Sequence, residues 1–508
     1  MGKTSFAPLM AGVLIGEIES DLRIIRQGSH AAQSEDVILH DFLLLGHRAA
    51  LLYIDGMADD EKLQRFVLAP CLNAPPVPEG TELSEYLAKS VLQVASVQRS
   101  ARLSEVLSRV CGGDAALLCD TVEGALICDV KGFAKRSLSE PINETVITGP
   151  HEGFTESLRD NVVLLRRLMR SPALISESLS VGGKIGTRLS LMYVDGVAKQ
   201  ENVDEMKRRI LGCNVDYVSS MGMLEQLIED DPMSLLPQTV TTERPDRAVS
   251  FLEEGQIVLL MENAPAALAM PVGLTHLYHA PDDTALRWQY GTFLRVLRLM
   301  GILLSLLLPA VYVSLTMFHP EGMSLPLLTS VIESQSRVPL SLFNSMLIML
   351  LVFSLINEAG ARVPGVMGGS LSIVSGLILG QAAVEADMFS PLLIIVVAIS
   401  GLGSYAVPSF PLTMALRIAQ FFLVISCGMA GYLGLVLGCF FLLMRIAGLT
   451  SLNHPYFSPV APRRPANPDA VLRLPVWRQR LRGYFANPFT LKRTFGYMRA
   501  WEKERRHE

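Results

Sequence analysis

The sequence predicts an α/β duplicated soluble N-terminal region followed by a polytopic α-helical membrane domain and a basic tail. Three observations carry this reading. First, the stretch from Leu299 to Leu449 is almost free of charge: only Glu321, Glu333, Arg337, Glu358, Arg362, Glu385, Asp387, Arg417 and Arg445 interrupt it. Second, Arg48-Ala-Ala-Leu-Leu-Tyr53-Ile-Asp55-Gly56 recurs as Arg188-Leu-Ser-Leu-Met-Tyr193-Val-Asp195-Gly196, at a constant offset of 140 residues. Third, charge is divided by region. The tail beyond Leu449 carries +8, the apolar block −1 and residues 1–298 carry −12 of the net −5. These features divide the chain into soluble α/β subdomains at residues 1–150 and 151–285, a transmembrane helical domain of five to six spans at 286–450, and a basic cytoplasmic tail at 451–508.

At the N-terminus, Phe6 to Gly16 is apolar but short, and it runs into Glu17, Glu19 and Asp21 without a cleavage-site pattern. It does not read as a signal peptide, so the front is expected on the cytoplasmic side. The runs 49–54, 115–119, 189–194 and 257–261 are short, apolar and bounded by Gly or charge, which predicts buried strands. Residues 158–169 and 203–211 carry apolar faces at helical spacing. The helix-like Ile24-Ile25-Arg26 aligns with Leu164-Leu165-Arg166, and 115–119 aligns with 257–261, so one α/β unit is used twice. Asp-Gly after each Tyr-containing strand is a turn signal. The recurrence of Asp55 and Asp195 follows from the duplication more simply than from a shared acidic site.

Enzyme chemistry finds no support. Gly182-Gly-Lys184 lacks the upstream Gly and the following Ser or Thr of a phosphate loop. The seven cysteines show no metal or redox spacing and read as buried free thiols. No catalytic, cofactor-binding or metal residue is assigned, no cofactor is expected, and no basic stripe points to nucleic acid.

Trp288 and Tyr290 suit a membrane interface, and Arg295 and Arg298 are expected to snorkel to headgroups. Spans are expected at 299–318, 338–357, 366–384 and 392–407. The stretch 412–449 is too long for one upright crossing, and a hinge near Gly428–Gly431 divides it into two. Residues 319–337 read as polar and either re-entrant or lumenal. The tail holds Pro455, Pro459, Pro462, Pro465, Pro468 and Pro475, an extended linker. A basic amphipathic stretch around 477–485 is expected to lie on the membrane surface. Positive charge past the last span places the tail on the cytoplasmic side.

The charged run between the second and fourth spans supplies the candidate site: Glu358, Arg362, Gln381 and Glu385, expected along an ion pathway. An ionised side chain at membrane depth faces a partner or a water-filled space. The simpler alternative pairs Glu358 with Arg362 one turn on and leaves Glu385 as a helix cap at the interface.

The pieces Glu358-Ala-Gly-Ala-Arg-Val-Pro-Gly365 and Ile373-Val-Ser-Gly-Leu-Ile-Leu-Gly-Gln-Ala-Ala-Val-Glu-Ala386 closely resemble the membrane core of GerA-type spore germination receptor A subunits, the GerA/SpoVAF family. Leu52-Tyr-Ile-Asp-Gly56, Gly149-Pro-His-Glu-Gly-Phe154, Thr242-Glu-Arg-Pro-Asp246, Leu308-Pro-Ala-Val-Tyr312 and Phe318-His-Pro-Glu321 extend the likeness in order over most of the chain. Val338-Pro-Leu-Ser341 departs from the Pro-Phe-Pro common in the family. The resemblance implies the A subunit of a nutrient germinant receptor in the endospore inner membrane, the oligomeric, channel-forming part. It implies two partners, a transporter-like B subunit that binds the germinant and a lipoprotein C subunit, besides other copies of itself and membrane lipid. A SpoVAF-like channel paralogue acting downstream of the receptor is the alternative. A secondary transporter with a cytosolic regulatory domain is a lesser one, because inverted repeats are not apparent.

Overall fold

A computed structural model describes residues 12–132, 141, 144, 149–361, 376, 378, 380–462, 472–483 and 486–493. The first lobe runs α1 (Ile18–Gly28), β1 (Val37–Leu44), β2 (His47–Ile54), helical segments at 60–72 and 83–91, β3 (Val97–Ser100), α2 (Leu103–Val110), β4 (Ala115–Cys119) and β5 (Ala125–Cys128). Its sheet is antiparallel, in the order β1-β2-β4-β5-β3. The second lobe repeats the plan with α3 (Leu158–Leu168), β6 (Leu174–Val181), β7 (Thr187–Val194), α4 (Gln200–Gly212), a helix at Met221–Ile228, β8 (Val240–Thr242), α5 (Pro245–Glu253), β9 (Ile257–Met261) and β10 (Ala267–Met270). The order β6-β7-β9-β10-β8 is the first lobe's order carried over. Even the register is kept: Ala49 faces Cys119 across β2 and β4, and Leu189 faces Met261 across β7 and β9.

Local sequence explains the element ends. Ser157 caps α3 by accepting from the Asp160 N–H, Asp160 lies in its first turn, and Arg166 and Arg167 lie in its last, each charge matched to the helix dipole. Pro245 occupies the first turn of α5, where a missing N–H costs nothing. Helices cover both faces of each sheet. Ala50, Leu52, Ala116 and Leu118 pack with α1 and α2, while Ala49, Leu51, Leu117 and Cys119 pack with the 60–72 and 83–91 helices. Central antiparallel strands buried on both faces therefore carry continuous apolar runs in place of alternation. The cysteines are all free, and Cys71, Cys111, Cys119, Cys128 and Cys427 are buried.

The lobes meet through charge. Arg166 of α3 is buried and holds Asp36 of the first lobe with two bonds, Nε to Oδ2 at 2.7 Å and Nη2 to Oδ1 at 2.9 Å. Arg159 holds Asp55 and Asp60, and His30 approaches Asp195 at 3.7 Å. The two duplicated aspartates thus each face the opposite lobe and do not form one acidic site.

The membrane block follows as α6 (Trp288–Phe318), α7 (Leu325–Ser336), α8 (Leu342–Ala361), α9 (Pro391–Tyr405) and α10 (Phe410–Gly448). Three of these, α6, α8 and α10, are long and apolar enough to cross a bilayer. Residues 319–337, expected as a polar stretch either re-entrant or lumenal, contain α7. The expected third span falls largely on residues outside the described set; residues 380–385 are helical.

α10 is a helical hairpin. Its backbone leaves helical geometry at Ala430 and at Gly431, whose φ of +56° favours glycine. The Phe422 and Phe441 ring centroids lie 5.7 Å apart, whereas an unbroken helix would separate them by about 28 Å. Leu412, Leu416 and Leu449, at the two open ends of the hairpin, join the core of the second lobe. The tip meets the far end of α6, where the His319 and Tyr432 rings stack at 4.9 Å. Gly301 of α6 and Gly403 of α9 touch backbone to backbone; a Cβ on Gly403 would stand 2.4 Å from the Gly301 carbonyl.

These contacts define a face near the lobes and a distal face. α6 ends distally, and α8 starts distally beside Gly428 and ends near Tyr405 on the lobe side. Ser390 is distal again, bonded to Ser334 of α7. The chain therefore changes faces between Ala361 and Ser390, once more in α9, and twice in α10. It begins and ends the block on the same side.

The tail confirms that side by contact. The described tail residues 480–483 and 486–493 pair with each other (Arg482 N–H to Leu491 O, 2.7 Å) and dock as a loop on the second lobe. Arg482 Nε donates to Glu253 O at 2.8 Å, Asn202 Nδ2 to Ala486 O at 3.0 Å, and Phe489 N–H to Val197 O at 2.9 Å. The expected surface-lying amphipathic segment is instead a single 3-10 turn, Val476–Arg478, followed by this docked loop. Arg493 of the tail pairs with Glu253 and Glu254 of the lobe, so part of the tail's basic charge meets protein.

Candidate functional site

Polar side chains occur at three depths of the membrane block. Nearest the lobes, Tyr405 of α9 donates to the amide oxygen of the buried Asn357 of α8. Glu358, the next residue, is exposed on the chain's surface. Arg417 of α10 lies within the electrostatic reach of both Tyr405 and Glu358. In the middle, Gln420 Nε2 donates to Ser400 Oγ at 2.6 Å, and that hydroxyl donates to Ser305 O at 3.0 Å, joining α10, α9 and α6. On the distal side Gln381 Nε2 donates to Glu385 Oε1 at 3.1 Å, and both residues are exposed.

Of the expected site residues that are described, Gln381 and Glu385 are brought together and Glu358 stands apart from them. Glu358 stands toward the lobe face and Glu385 toward the distal face, with Gln381 beside the latter. Arg362 lies outside the described residues. Sequence reasoning missed Arg417 as a neighbour of Glu358, and it missed the Gln420–Ser400–Ser305 chain. An Arg and a Gln four residues or fewer apart, on one apolar helix, were the available signal.

The second lobe grips both ends of the block. At the entry, the fully buried Asp283 accepts from Arg295 Nε at 3.2 Å and Arg298 Nη1 at 2.7 Å. Both arginines were expected to snorkel. Arg295 is instead buried, because the short helix Asp282–Ala285 folds a carboxylate back onto the first turns of α6. Arg473 of the tail seals the same junction, donating to Leu286 O at 3.0 Å and Thr284 O at 2.9 Å. At the exit, Asp230 accepts from Leu452 N–H at 3.0 Å, Asn453 N–H at 2.9 Å, Thr450 and Arg209. Burial alone would raise the Asp230 carboxyl; the bonds from Thr450, Asn453 and Arg209 outweigh it and hold the group below its usual value.

Between the two grips, His276 packs against Phe251, ring centroids 6.0 Å apart. Burial pushes its pKa down to about 4, and the nearby Arg247 cation adds to the shift. A base whose folded pKa lies below its unfolded value of 6.5 binds its proton first in the unfolded chain. Stability is accordingly lost as pH falls from about 6.5 to about 4. The full chain in detergent should melt lower at pH 5 than at pH 7, and His276→Gln should narrow that difference; an equal pH dependence in the variant would discount His276. Among the described residues no group of three or more His, Cys, Asp or Glu gathers as a metal site.

Comparison with known proteins bears on this arrangement. Residues 25–484 match the family described as Bacillus/Clostridium GerA spore germination protein. Spore germination protein B1 of Bacillus subtilis (strain 168) is 33% identical over 465 residues, which cover 91% of this chain and 96% of that protein. Spore germination protein KA of the same organism is 31% identical over 449 residues, 87% of this chain and 82% of the relative. Among solved structures, the crystal structure of the N-terminal domain of the A subunit of the Bacillus megaterium spore germinant receptor GerK3 is 26% identical. It covers 51% of this chain and 97% of its own, at a TM-score of 0.39.

Proposed function

Because the chain belongs to the GerA family of spore germination proteins, we propose that it is the A subunit of a nutrient germinant receptor and that its copies assemble around an ion path. The observation that carries the channel reading is the exposure of Glu358, Gln381 and Glu385 on the surface of a single chain within its membrane block. Facing lipid, a carboxylate costs roughly 2.5–3.5 kcal/mol at mid-bilayer and less near a span end. Facing the interior of an oligomer, it meets water, and rings of carboxylates favour cations. The reading places the protein in the endospore inner membrane. The lobes and tail, which share one side, lie in the cytoplasm, as the +8 tail favours. It works there without catalysis, beside a transporter-like B subunit and a lipoprotein C subunit. The grips at Asp283 and Asp230 give the second lobe a mechanical hold on both ends of the block.

The test is single substitution, Glu358→Gln and Glu385→Gln, in a reconstituted flux assay. Cation-over-anion selectivity should fall in each variant. Unchanged flux and selectivity in both, with normal assembly, would remove these carboxylates from the path.

A further inference from the structure

An apolar cavity of about 480 Å³ opens between the second lobe and the membrane block. Its walls are Leu303 and Leu307 of α6, Ala419 and Phe422 on the first arm of α10, and Phe441 and Ile446 on the second. The second lobe roofs it with the loop 233–236, where Met233 is 88% exposed. Arg445 stands at the mouth, 3.2 Å from Asp231 and about half exposed.

We propose that this cavity holds the acyl chain of a membrane phospholipid, with the lipid phosphate at the mouth beside Arg445 and Ser234. The walls belong to membrane-spanning helices, so the medium that reaches an opening there is lipid. From Phe441 to Leu449 a helix rises about 12 Å, most of the roughly 15 Å half-thickness of a hydrocarbon core. The cavity therefore spans one leaflet, from headgroup level inward. A single acyl chain is narrow and flexible enough to enter between α6 and the two arms of α10, and the volume lies within the ~300–1,000 Å³ of small-molecule sites. Arg445 keeps donors beyond the one given to Asp231, since a guanidinium carries five N–H groups. Met233 and Leu235, exposed on a soluble lobe yet beside Leu303, are accounted for by the same contact. The roofing loop leads directly from Asp230, so an occupied cavity braces the exit grip. This site does not depend on ion conduction.

The test uses the full chain in phosphatidylglycerol nanodiscs doped with a phosphatidylglycerol carrying a diazirine in its acyl tail. Photolabelled peptides are mapped by mass spectrometry, with Leu402 of α9, 69% exposed outside the cavity, as the reference for passing lipid. Labelling should concentrate at 233–236 and 441–446 above the Leu402 level. Ala419→Trp, which fills the floor, should lower it to that level while Leu402 labelling stays constant. Ser234→Trp blocks the mouth without entering the helix packing and serves if Ala419→Trp fails to fold. Cavity labelling no higher than at Leu402, labelling that survives both variants, or copy-to-copy cross-links in place of lipid adducts would each overturn the proposal.

Discussion

Replacing Asp283 by asparagine is expected to lower the apparent melting temperature of the full chain by roughly 6–20 °C, the shift for about 3–5 kcal/mol in a domain of 150–250 residues. The substitution preserves shape and removes charge. Asp283 is 0% exposed, and its Oδ2 takes Arg295, Arg298 and the Ala280 N–H at 3.2 Å. Breaking a buried pair from one side leaves uncompensated charge, and that residue of charge sets the cost. Here two cations remain, Arg295 at 3% side-chain exposure and Arg298 at 12%. The double variant Asp283→Asn with Arg298→Gln should recover part of the loss, since it removes one stranded cation. An unchanged melting temperature in the single variant would show that water reaches the junction. Because Asp283 joins the second lobe to α6, the same variant should also weaken any response that the lobe passes to the membrane block.

Much of this architecture could be read from residues alone, for identifiable reasons. The offset of 140 between the Tyr-Ile-Asp-Gly and Tyr-Val-Asp-Gly segments aligned two lobes that share strand order and register. It worked because strands buried on both faces keep their apolar runs through duplication. The hinge in α10 was visible as small residues in an overlong apolar run, and Gly431 turns the chain there. Partner choice was not visible. Arg295 and Arg298 look alike whether they reach headgroups or a carboxylate, and Asp283 reaches them only because the chain folds back over Asp282–Ala285. The tail's basic, aromatic composition suits a membrane surface equally well, and the acceptors Glu253 and Glu254 lie more than two hundred residues upstream. The candidate carboxylates were found by their cost in lipid, and the expected spans at 338–357 and 366–384 already set Glu358 and Glu385 at opposite ends of a crossing; the neighbour that only the folded chain reveals is Arg417 beside Glu358.

The duplication supplies a controlled comparison, because Arg26 and Arg166 are the same residue at the same place in the two copies of the unit. Arg26 lies 3.7 Å from Asp41, with side chains 55% and 50% exposed. Arg166 is 2% exposed and donates to Asp36 twice, to Ser34 Oγ at 2.8 Å and to Leu174 O at 2.7 Å. Arg26→Met should change stability by about 0–1 kcal/mol, as for an exposed pair screened by water. Arg166→Met should cost about 3–5 kcal/mol, because Asp36 stays in the lobe interface without its cation. The cost should appear as separation of the lobes. Protease should cut the 149–157 connection in the full chain faster in Arg166→Met than in Arg26→Met. Adding Asp36→Leu to Arg166→Met should restore most of the resistance, since a packed apolar pair often equals or exceeds a buried ionic one. Equal losses from Arg26→Met and Arg166→Met would mean that the lobes are held without the Arg166–Asp36 pair, by Arg159 with Asp55 and Asp60 and by their other contacts. Failure of the double variant to recover would instead assign the interface to the bond that Arg166 makes to Ser34.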